Sequence, residues 1–482
     1  MGKRRIIVAA LVTLAAAAYW SLIARNISFA VGGSDSSGYM SEARMFASGR
    51  LSIPVDPVRA LKISSEYTPI FVPIGFRPAS GARMVPSYPP GLPIHFAVAG
   101  MIGGWERAPF YVGPIFAMLT LVVLFLLARE LGLEPWLSLA AVVIFAAIPI
   151  VISSAVQPLS DVVATFWAVL AVWLALRSGG QAPSPVLSVL AGVAFAIGVW
   201  VRPTNLLIAL PLAFAFHWRW RHLAWAAVGA IPLGLVLMWL NARLFGSAFA
   251  TGYGTVGQVI DWAALRRCPA HHFRWIATTL TPIVPVASIL MIFDRRIDKW
   301  ARALLPIWFG VFLAFYSIYG ICSDWWDMRF LLPGIPALIL GTLLLLRRLP
   351  IGITALLVLA MIITPALTSK KLGVTGFDEA EAFWPATIKW AEPQLPKRAV
   401  VISGIYSGPF YFYAQRFTAR WDLLDTDTYQ LLRAYAANAS LPWYAVTSEV
   451  ADIKPEDFPK KYPGNWKQLG TYRDVTLWRL DE

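Results

Sequence analysis

Long runs of apolar residues, separated by short polar stretches, dominate most of the chain. A helix needs about 20 apolar residues to cross the hydrocarbon core of a membrane, and fewer where its neighbours compensate. By that measure the sequence predicts about eleven spans, and Pro203 separates the two short spans around WVRPTN. The predicted spans are 6–24, 110–128, 136–152, 162–176, 186–201, 203–216, 223–240, 275–293, 303–321, 330–346 and 351–367.

Basic clusters between these spans predict the orientation of the chain. Cytoplasmic loops are enriched in Lys and Arg, and the basic residues 3–5 and the later tight clusters fall on one side if the two short spans are counted separately. The N-terminal segment is interpreted as an uncleaved first span with a cytoplasmic N-terminus. The first loop, 25–109, then lies outside. Within it, the short, proline-rich segment YPPGLPIHFAVAGMIGG predicts an interfacial helix.

The composition changes after residue 367, where charged residues become frequent. Short β-type runs appear at 399–403, 443–448 and 475–480, and stretches such as EAEAFWPATIKWA predict helix. We therefore expect a mainly α, polytopic transmembrane module over 1–367, followed by a small extracytoplasmic α/β domain over 368–482.

The overall composition agrees with a membrane protein. The 482 residues are 58% hydrophobic and 14% charged, whereas a soluble domain has roughly a quarter charged residues. The net charge of +14 is explained by orientation in the bilayer, so no nucleic-acid partner is expected. Two cysteines exclude a disulfide scaffold and a multi-cysteine metal site, and both fall in predicted outward loops. A disulfide between Cys268 and Cys322 is therefore a hypothesis.

Two aspartates at outward span ends are the first candidates for chemistry, because charges near the membrane plane are costly unless they are paired or hydrated. Asp35 follows the first span in GGSDSSG, where a carboxylate can accept a proton from an attacking hydroxyl. Asp161 begins the span VVATFWAVL. Both also suit helix capping, and local sequence alone leaves the two interpretations open.

Four basic residues are candidates for binding an anion. Arg202 lies between the two short spans, where a guanidinium can grip a phosphate through its fork of donors or can pair with a carboxylate. Lys62, Arg243 and Arg329 are weaker candidates for the same partner. Asp324 and Asp327 are predicted to neutralise Arg329.

Several of these segments, taken in order, resemble the GT-C superfamily of polytopic glycosyltransferases. GGSDSSGYMSEA resembles its acidic first-loop motif, and AVQPLSDVVATFWAVL and WVRPTNLLIALPLA resemble its later acidic and arginine motifs. YPPGLPIHF is similar to a His-Pro-Pro-Leu segment of protein O-mannosyltransferases and lipid A aminoarabinose transferases, with Tyr88 in place of the histidine. The segment after 367 matches neither the β-trefoil insert of the eukaryotic mannosyltransferases nor an oligosaccharyltransferase tail.

The resemblance implies a sugar donor carried on a polyprenyl phosphate, transferred with inversion to a lipid, glycan or protein acceptor. Asp35 and Asp161 would be the catalytic pair, with Asp35 as the base and Asp161 shaping the site. No cofactor is implied with certainty, and a divalent cation is left open. The implied location is a bacterial inner membrane with the C-terminal domain in the periplasm. The substrate-binding residues would be Arg202, Lys62, Arg329, Glu42, Tyr88 and His95.

Two rival functions remain open from the residues. A transporter or flippase of lipid-linked sugars needs no base, but it often has inverted repeats and mid-span acids, which are not evident here. A polymerase or ligase of surface polysaccharide would place its main functional loop late in the chain. Walker, GxSxG and HExxH motifs are absent from the sequence.

Overall fold

The structure is a computed structural model that describes residues 3–179, 184–449 and 452–481. Its α-helices are α1 (Lys3–Arg25), α2 (Asp35–Ala47), α3 (Asp56–Ala60), α4 (Thr68–Phe71), α5 (Gly91–Gly103), α6 (Val112–Glu130), α7 (Pro135–Ala147), α8 (Pro149–Val156), α9 (Asp161–Ser178), α10 (Pro185–Val201), α11 (Ala209–Ala215), α12 (Trp220–Phe245), α13 (Val256–Val259), α14 (Cys268–Leu280), α15 (Ile283–Leu290), α16 (Lys299–Ser317), α17 (Ile335–Leu346), α18 (Ile351–Lys371), α19 (Phe377–Glu381), α20 (Phe383–Ala391), α21 (Ser407–Ala414), α22 (Thr426–Asn438) and α23 (Phe458–Lys461). Its strands are β1 (Ile53–Pro54), β2 (Phe76–Ala79), β3 (Arg83–Pro86), β4 (Val400–Ser403), β5 (Ala419–Arg420), β6 (Trp443–Ser448), β7 (Asn465–Tyr472) and β8 (Val475–Asp481).

The chain forms two compact units. Unit 1 contains Met1–Ile27, Phe110–Ala250 and Gly254–Phe377. Unit 2 contains Ser28–Pro109, Thr251–Tyr253 and Asp378–Glu482. The predicted first loop therefore shares a unit with the C-terminal region, which the predicted division at residue 367 did not anticipate.

Unit 1 contains the helices that suit a membrane. In the described part of the chain, six helices are long and apolar enough to span it, or up to eight if each of two bent pairs is one span. The predicted count of eleven is therefore not confirmed. The six are Ala108–Glu130, Asp161–Ser178, Trp220–Phe245, Lys299–Ser317, Trp325–Leu346 and Ile351–Lys371.

Prolines break two of the predicted spans. The span predicted at 136–152 is the pair α7 and α8, bent by 64° where Pro149 keeps Ile148 extended. The span predicted at 275–293 is a pair bent by 107° around Thr281 and Pro282. Apolar length alone predicts a span, but it does not report a turn inside the apolar run.

The predicted break at WVRPTN is present. Helix α10 ends at Val201, Arg202 is extended, and the 3₁₀ turn Pro203–Ile208 leads into α11. Both halves are shorter than the spanning helices. The hypothesised disulfide is also present in unit 1, where Cys268 and Cys322 are bonded across a sequence separation of 54.

Unit 2 is built on two sheets. The first loop forms an antiparallel sheet in the order β1-β3-β2, and the C-terminal region forms a mixed sheet in the order β5-β4-β6-β8-β7. Strand β4 is parallel to β5 and β6, and β6 is antiparallel to β8. All residues of β4 and β6 are buried, as expected for parallel strands covered on both faces. The three predicted strands are confirmed, and the predicted helix 379–391 is divided between α19 and α20.

One apolar core joins the two parts of unit 2. The first loop contributes buried residues from α3, α4, β3 and the turns between them, and the C-terminal region contributes β4, β6, α22 and α23. Its large members include Phe71, Phe76, Met84, Ile402, Tyr429, Trp443, Phe458 and Tyr462. The first loop therefore shares one core with residues more than three hundred positions later in the chain.

We expect Phe71→Ala in the first loop to destabilise the C-terminal region. Phe71 is 1% exposed in the shared core, and such truncations cost about 3–5 kcal/mol. Thermal unfolding in detergent and protease cleavage within 378–481 measure the effect. Leu51→Ala, at a position 38% exposed, is the control. Cleavage confined to the first loop would contradict a shared core.

Candidate active site

Asp35 lies in unit 2 at the first position of α2. The preceding turn is closed by Ser36 and Ser37, whose hydroxyls donate to the carbonyls of Gly32 and Gly33. The N-cap residue is Ser34, so Asp35 occupies the first turn, where the helix dipole favours a negative charge. Its carboxylate is half-buried and accepts a hydrogen bond of 2.8 Å from the Tyr88 hydroxyl.

The position of Tyr88 is determined by close packing. Its ring contacts Tyr39, with centroids 4.4 Å apart, and lies 6.0 Å from the ring of Tyr253. Gly38 lies against the same ring, since a Cβ built at Gly38 would be 2.3 Å from Cε2 of Tyr88. The glycine in GGSDSSGY therefore allows the aromatic ring close enough to α2 for its hydroxyl to reach Asp35.

Glu42 connects α2 to the same turn from inside the unit. It is fully buried, and its Oε1 accepts hydrogen bonds from the backbone N–H groups of Ser87 at 2.8 Å and Tyr88 at 3.0 Å. Burial raises the pKa of the Glu42 carboxyl well above its ordinary value of 4.5, and the two N–H groups oppose this shift. Glu42 thus anchors the segment carrying Tyr88, while its substrate-binding role stays a prediction.

Asp161 and Arg202 meet in unit 1. Asp161 begins α9, and its Oδ1 accepts a hydrogen bond from Nη1 of Arg202 at the end of α10. The side chains are 3% and 13% exposed, so this is a largely buried ion pair. The carboxylate-paired interpretation of Arg202 is therefore observed, and a guanidinium has four further N–H donors beyond the one used in that bond.

A second arginine lies near the same aromatic ring. The guanidinium carbons of Arg202 and Arg329 lie 5.0 and 5.1 Å from the centroid of Phe330. Tyr316 stacks on Phe330 at 5.1 Å, and its hydroxyl donates to Thr204 at 2.8 Å. Two guanidinium groups therefore lie at cation–π distance from one aromatic ring.

The remaining candidates have simpler surroundings. Lys62 is exposed, two residues after α3, with a left-handed backbone at φ 54°. The His95 ring hydrogen-bonds the Gly91 carbonyl within α5 at 2.7 Å. Asp324 and Asp327 accept backbone N–H bonds that cap the 3₁₀ helix starting at Trp325. The binding roles of Lys62 and His95 therefore remain predictions.

The described residues do not offer an evident metal site. Among them, no group of three or more His, Cys, Asp or Glu side chains is placed to hold a metal ion. The ring nitrogens of His271 and His272 hydrogen-bond the carbonyls of Asp324 and Tyr316.

The chain is similar in fold to solved structures, although its sequence matches no known family or curated protein. No family model matches the chain, and no curated protein sequence matches it significantly. The fold is similar to ArnT from Cupriavidus metallidurans bound to undecaprenyl phosphate, with TM-score 0.61, 12% identity and coverage of 98% of this chain and 97% of that one. It is also similar to the Archaeoglobus fulgidus oligosaccharyltransferase in complex with Zn and sulfate, with TM-score 0.59, 13% identity and coverage of 95% and 71%.

The chain shares the fold of these solved structures, which are GT-C glycosyltransferases. A complex of the archaeal enzyme AglB with an inhibitory peptide and a dolichol-phosphate is similar as well, with TM-score 0.55, 12% identity and coverage of 90% and 69%. Together with its apolar helices, this GT-C fold makes the chain a multi-pass membrane protein.

Two aromatic residues near Arg202, Phe330 and Tyr316, were not predicted from sequence. Their sequence surroundings are those of ordinary core aromatics, and only Phe330 is next to a predicted residue, in DMRF. Tyr316 meets Thr204 across 112 positions. No spacing within a single helix reports such a contact, so the sequence carries no local signal for it.

Glu42 gives a pH-dependent prediction. Its folded-state pKa is raised, so the folded protein keeps a proton that the unfolded chain releases above about pH 4.5, and this contribution to the free energy of unfolding falls as pH rises. Glu42→Gln should remove that decline. Melting temperatures at pH 5, 6.5 and 8 measure it, with exposed Glu66→Gln as control. Parallel pH profiles for wild type and Glu42→Gln would contradict the assignment.

Proposed function

We propose that the protein is an inverting glycosyltransferase that moves a sugar from a polyprenyl-phosphate donor to an acceptor hydroxyl. The observation that carries the proposal is a likeness of fold, at TM-score 0.61, that covers 98% of this chain and 97% of a structure bound to undecaprenyl phosphate. The archaeal neighbour with a bound dolichol-phosphate supports the same class of donor. We place the reaction at the extracytoplasmic face of a bacterial inner membrane, with the N-terminus in the cytoplasm.

In the proposed reaction Asp35 is the general base. The acceptor oxygen attacks the anomeric carbon opposite the phosphate, its proton passes to the Asp35 carboxylate, and a new C–O glycosidic bond forms. The bond between the anomeric carbon and the phosphate oxygen breaks, and the polyprenyl phosphate leaves with the electron pair. One displacement from the opposite side inverts the anomeric configuration. The Tyr88 hydroxyl orients the carboxylate by its hydrogen bond.

Positive charge is what the departing phosphate needs, since it leaves as a stable anion without a general acid. Arg202 is proposed for that role because its planar fork of donors matches a phosphate. Asp161 holds Arg202 and so shapes the site, and Arg329 adds a second cation beside the same Phe330 ring. Lys62 is proposed as a further donor contact. No step is assigned to a divalent cation, because the described residues provide no fitting set of ligands.

The decisive assay incubates the purified protein with radiolabelled polyprenyl-phosphate sugars and membrane extract. The proposal expects label to move from the donor to a lipid, glycan or protein, with free polyprenyl phosphate released. Reconstituted vesicles separate this from transport, because a flippase moves labelled donor across the bilayer without breaking its sugar–phosphate bond. Translocation without transfer would contradict the proposal.

Asp35→Asn should lower kcat by about 10²–10⁴-fold while leaving donor binding unchanged, because the amide cannot accept the proton. The measurement is initial transfer rate against donor concentration, with donor affinity from a separate binding assay. Asp56→Asn is the matched control, since Asp56 is an exposed acid in the first turn of α3. Full transfer by Asp35→Asn would remove Asp35 as the base.

Arg202→Lys should keep the charge opposite Asp161 but lose the guanidinium fork. We expect kcat/KM for the donor to fall about 10²–10³-fold, as when one donor to a developing anion is removed. Arg219→Lys in the same unit is the control. A conservative change is used because removing one partner of a buried pair costs about 3–5 kcal/mol and confuses catalysis with folding. Unchanged kcat/KM in Arg202→Lys would exclude a role at the phosphate.

A further inference from the structure

The segment that leads into Asp35 is packed against the C-terminal region within unit 2. Residues 31–37 contact α20 and α21, which lie more than 340 positions later in the chain. The contacts of residues 31 and 32 are distinct from the Tyr88 and Glu42 contacts, because they act on the backbone before α2 begins.

Trp384 of α20 lies directly against Gly32. A Cβ built at Gly32 would be 2.1 Å from Cδ1 and 2.2 Å from Nε1 of the indole ring. The backbone of Gly32 is therefore in close contact with a half-buried aromatic ring, three residues before Asp35. Any side chain at this position would displace either the ring or the turn.

Tyr413 of α21 makes a hydrogen bond with Val31, the residue before Gly32. The backbone N–H of Val31 donates a hydrogen bond of 2.7 Å to the Tyr413 hydroxyl, and Val31 is fully buried. A buried N–H that lacks an acceptor destabilises the folded state. The Tyr413 hydroxyl therefore holds the chain at the point where it turns toward Asp35.

The start of α21 lies against the first turn of α2. A Cβ built at Gly408 would be 2.2 Å from the Ser37 hydroxyl oxygen, so these elements approach as closely as glycine allows. Further along α2, the Arg44 guanidinium donates to the Phe412 carbonyl at 2.9 Å and lies 3.9 Å from the centroid of its ring. Helix α21 thus follows the length of α2.

We propose that Trp384 and Tyr413 are positioning residues for Asp35. In this proposal helices α20 and α21 of the C-terminal region hold the backbone that carries the base. This rests on the proposed function of Asp35. The C-terminal region is then required for the transfer step itself, in addition to any contact it makes with an acceptor. A displacement of about 1 Å in a reacting group can lower a rate about 10²-fold. Small changes in the Trp384 and Tyr413 contacts should therefore lower kcat.

A double-mutant cycle tests the Trp384 contact. Gly32→Ala and Trp384→Ala should each lower kcat about 10- to 100-fold, with KM for the donor nearly unchanged. The combined variant should be no worse than Trp384→Ala, because without the indole the added methyl group has nothing to displace. Trp390→Ala on the same helix is the control, since Trp390 stacks on Tyr472. If kcat of the combined variant falls by the product of the two single losses, the two residues act independently and the proposed role of the Trp384 contact is wrong.

Tyr413→Phe tests the hydrogen bond with little change in volume. It should lower kcat and should speed hydrogen–deuterium exchange in peptides covering 31–37, while Tyr435→Phe on α22 changes neither. The exchange measurement needs no substrate. If wild type transfers no sugar, the proposed function fails while exchange still decides the contact. If wild type is active but Tyr413→Phe matches Tyr435→Phe in both kcat and exchange, the positioning role is wrong.

Discussion

Burial of the first loop against the C-terminal sheet is the constraint on which the rest of unit 2 depends. The first loop has only short strands, and its buried apolar side chains belong to one core with those of β4, β6, α22 and α23. Packing them together removes Phe71, Met84 and Tyr429 from water. The same packing places α21 beside α2 and so determines where the Asp35 carboxylate stands.

Burial explains the partners of the acidic residues described for the candidate site. A buried charge needs a partner, and Asp161 has Arg202 in unit 1. Glu42 is fully buried, and that burial favours a proton on its carboxyl, although two backbone N–H groups donate to the carboxyl oxygen and oppose this effect. Asp35 differs from both, because it is only partly buried and bonds a hydroxyl. This partial exposure is the feature on which the proposed role of Asp35 as a base rests.

The sequence predicted those features that have local patterns. The β-type runs became β4, β6 and β8, the proline after Arg202 marked a real break, and the two cysteines are bonded. The bends at Pro149 and Pro282 were missed, because hydropathy averages over a turn. The shared core and the Trp384 contact were also missed. They join residues hundreds of positions apart, and without related sequences no periodicity links them.

The separation between the partners has a consequence for biosynthesis. Val31 and Tyr413 lie 382 positions apart, so at 5–20 residues per second the ribosome needs roughly 20–75 s to supply the second after the first. During that interval the apolar side chains of the first loop lack their native packing partners, and the loop is exposed to aggregation and proteolysis. Maturation of this half of the molecule therefore waits until the C-terminal region has been synthesised, and chaperones that shield nascent segments should influence its yield more than its activity once assembled.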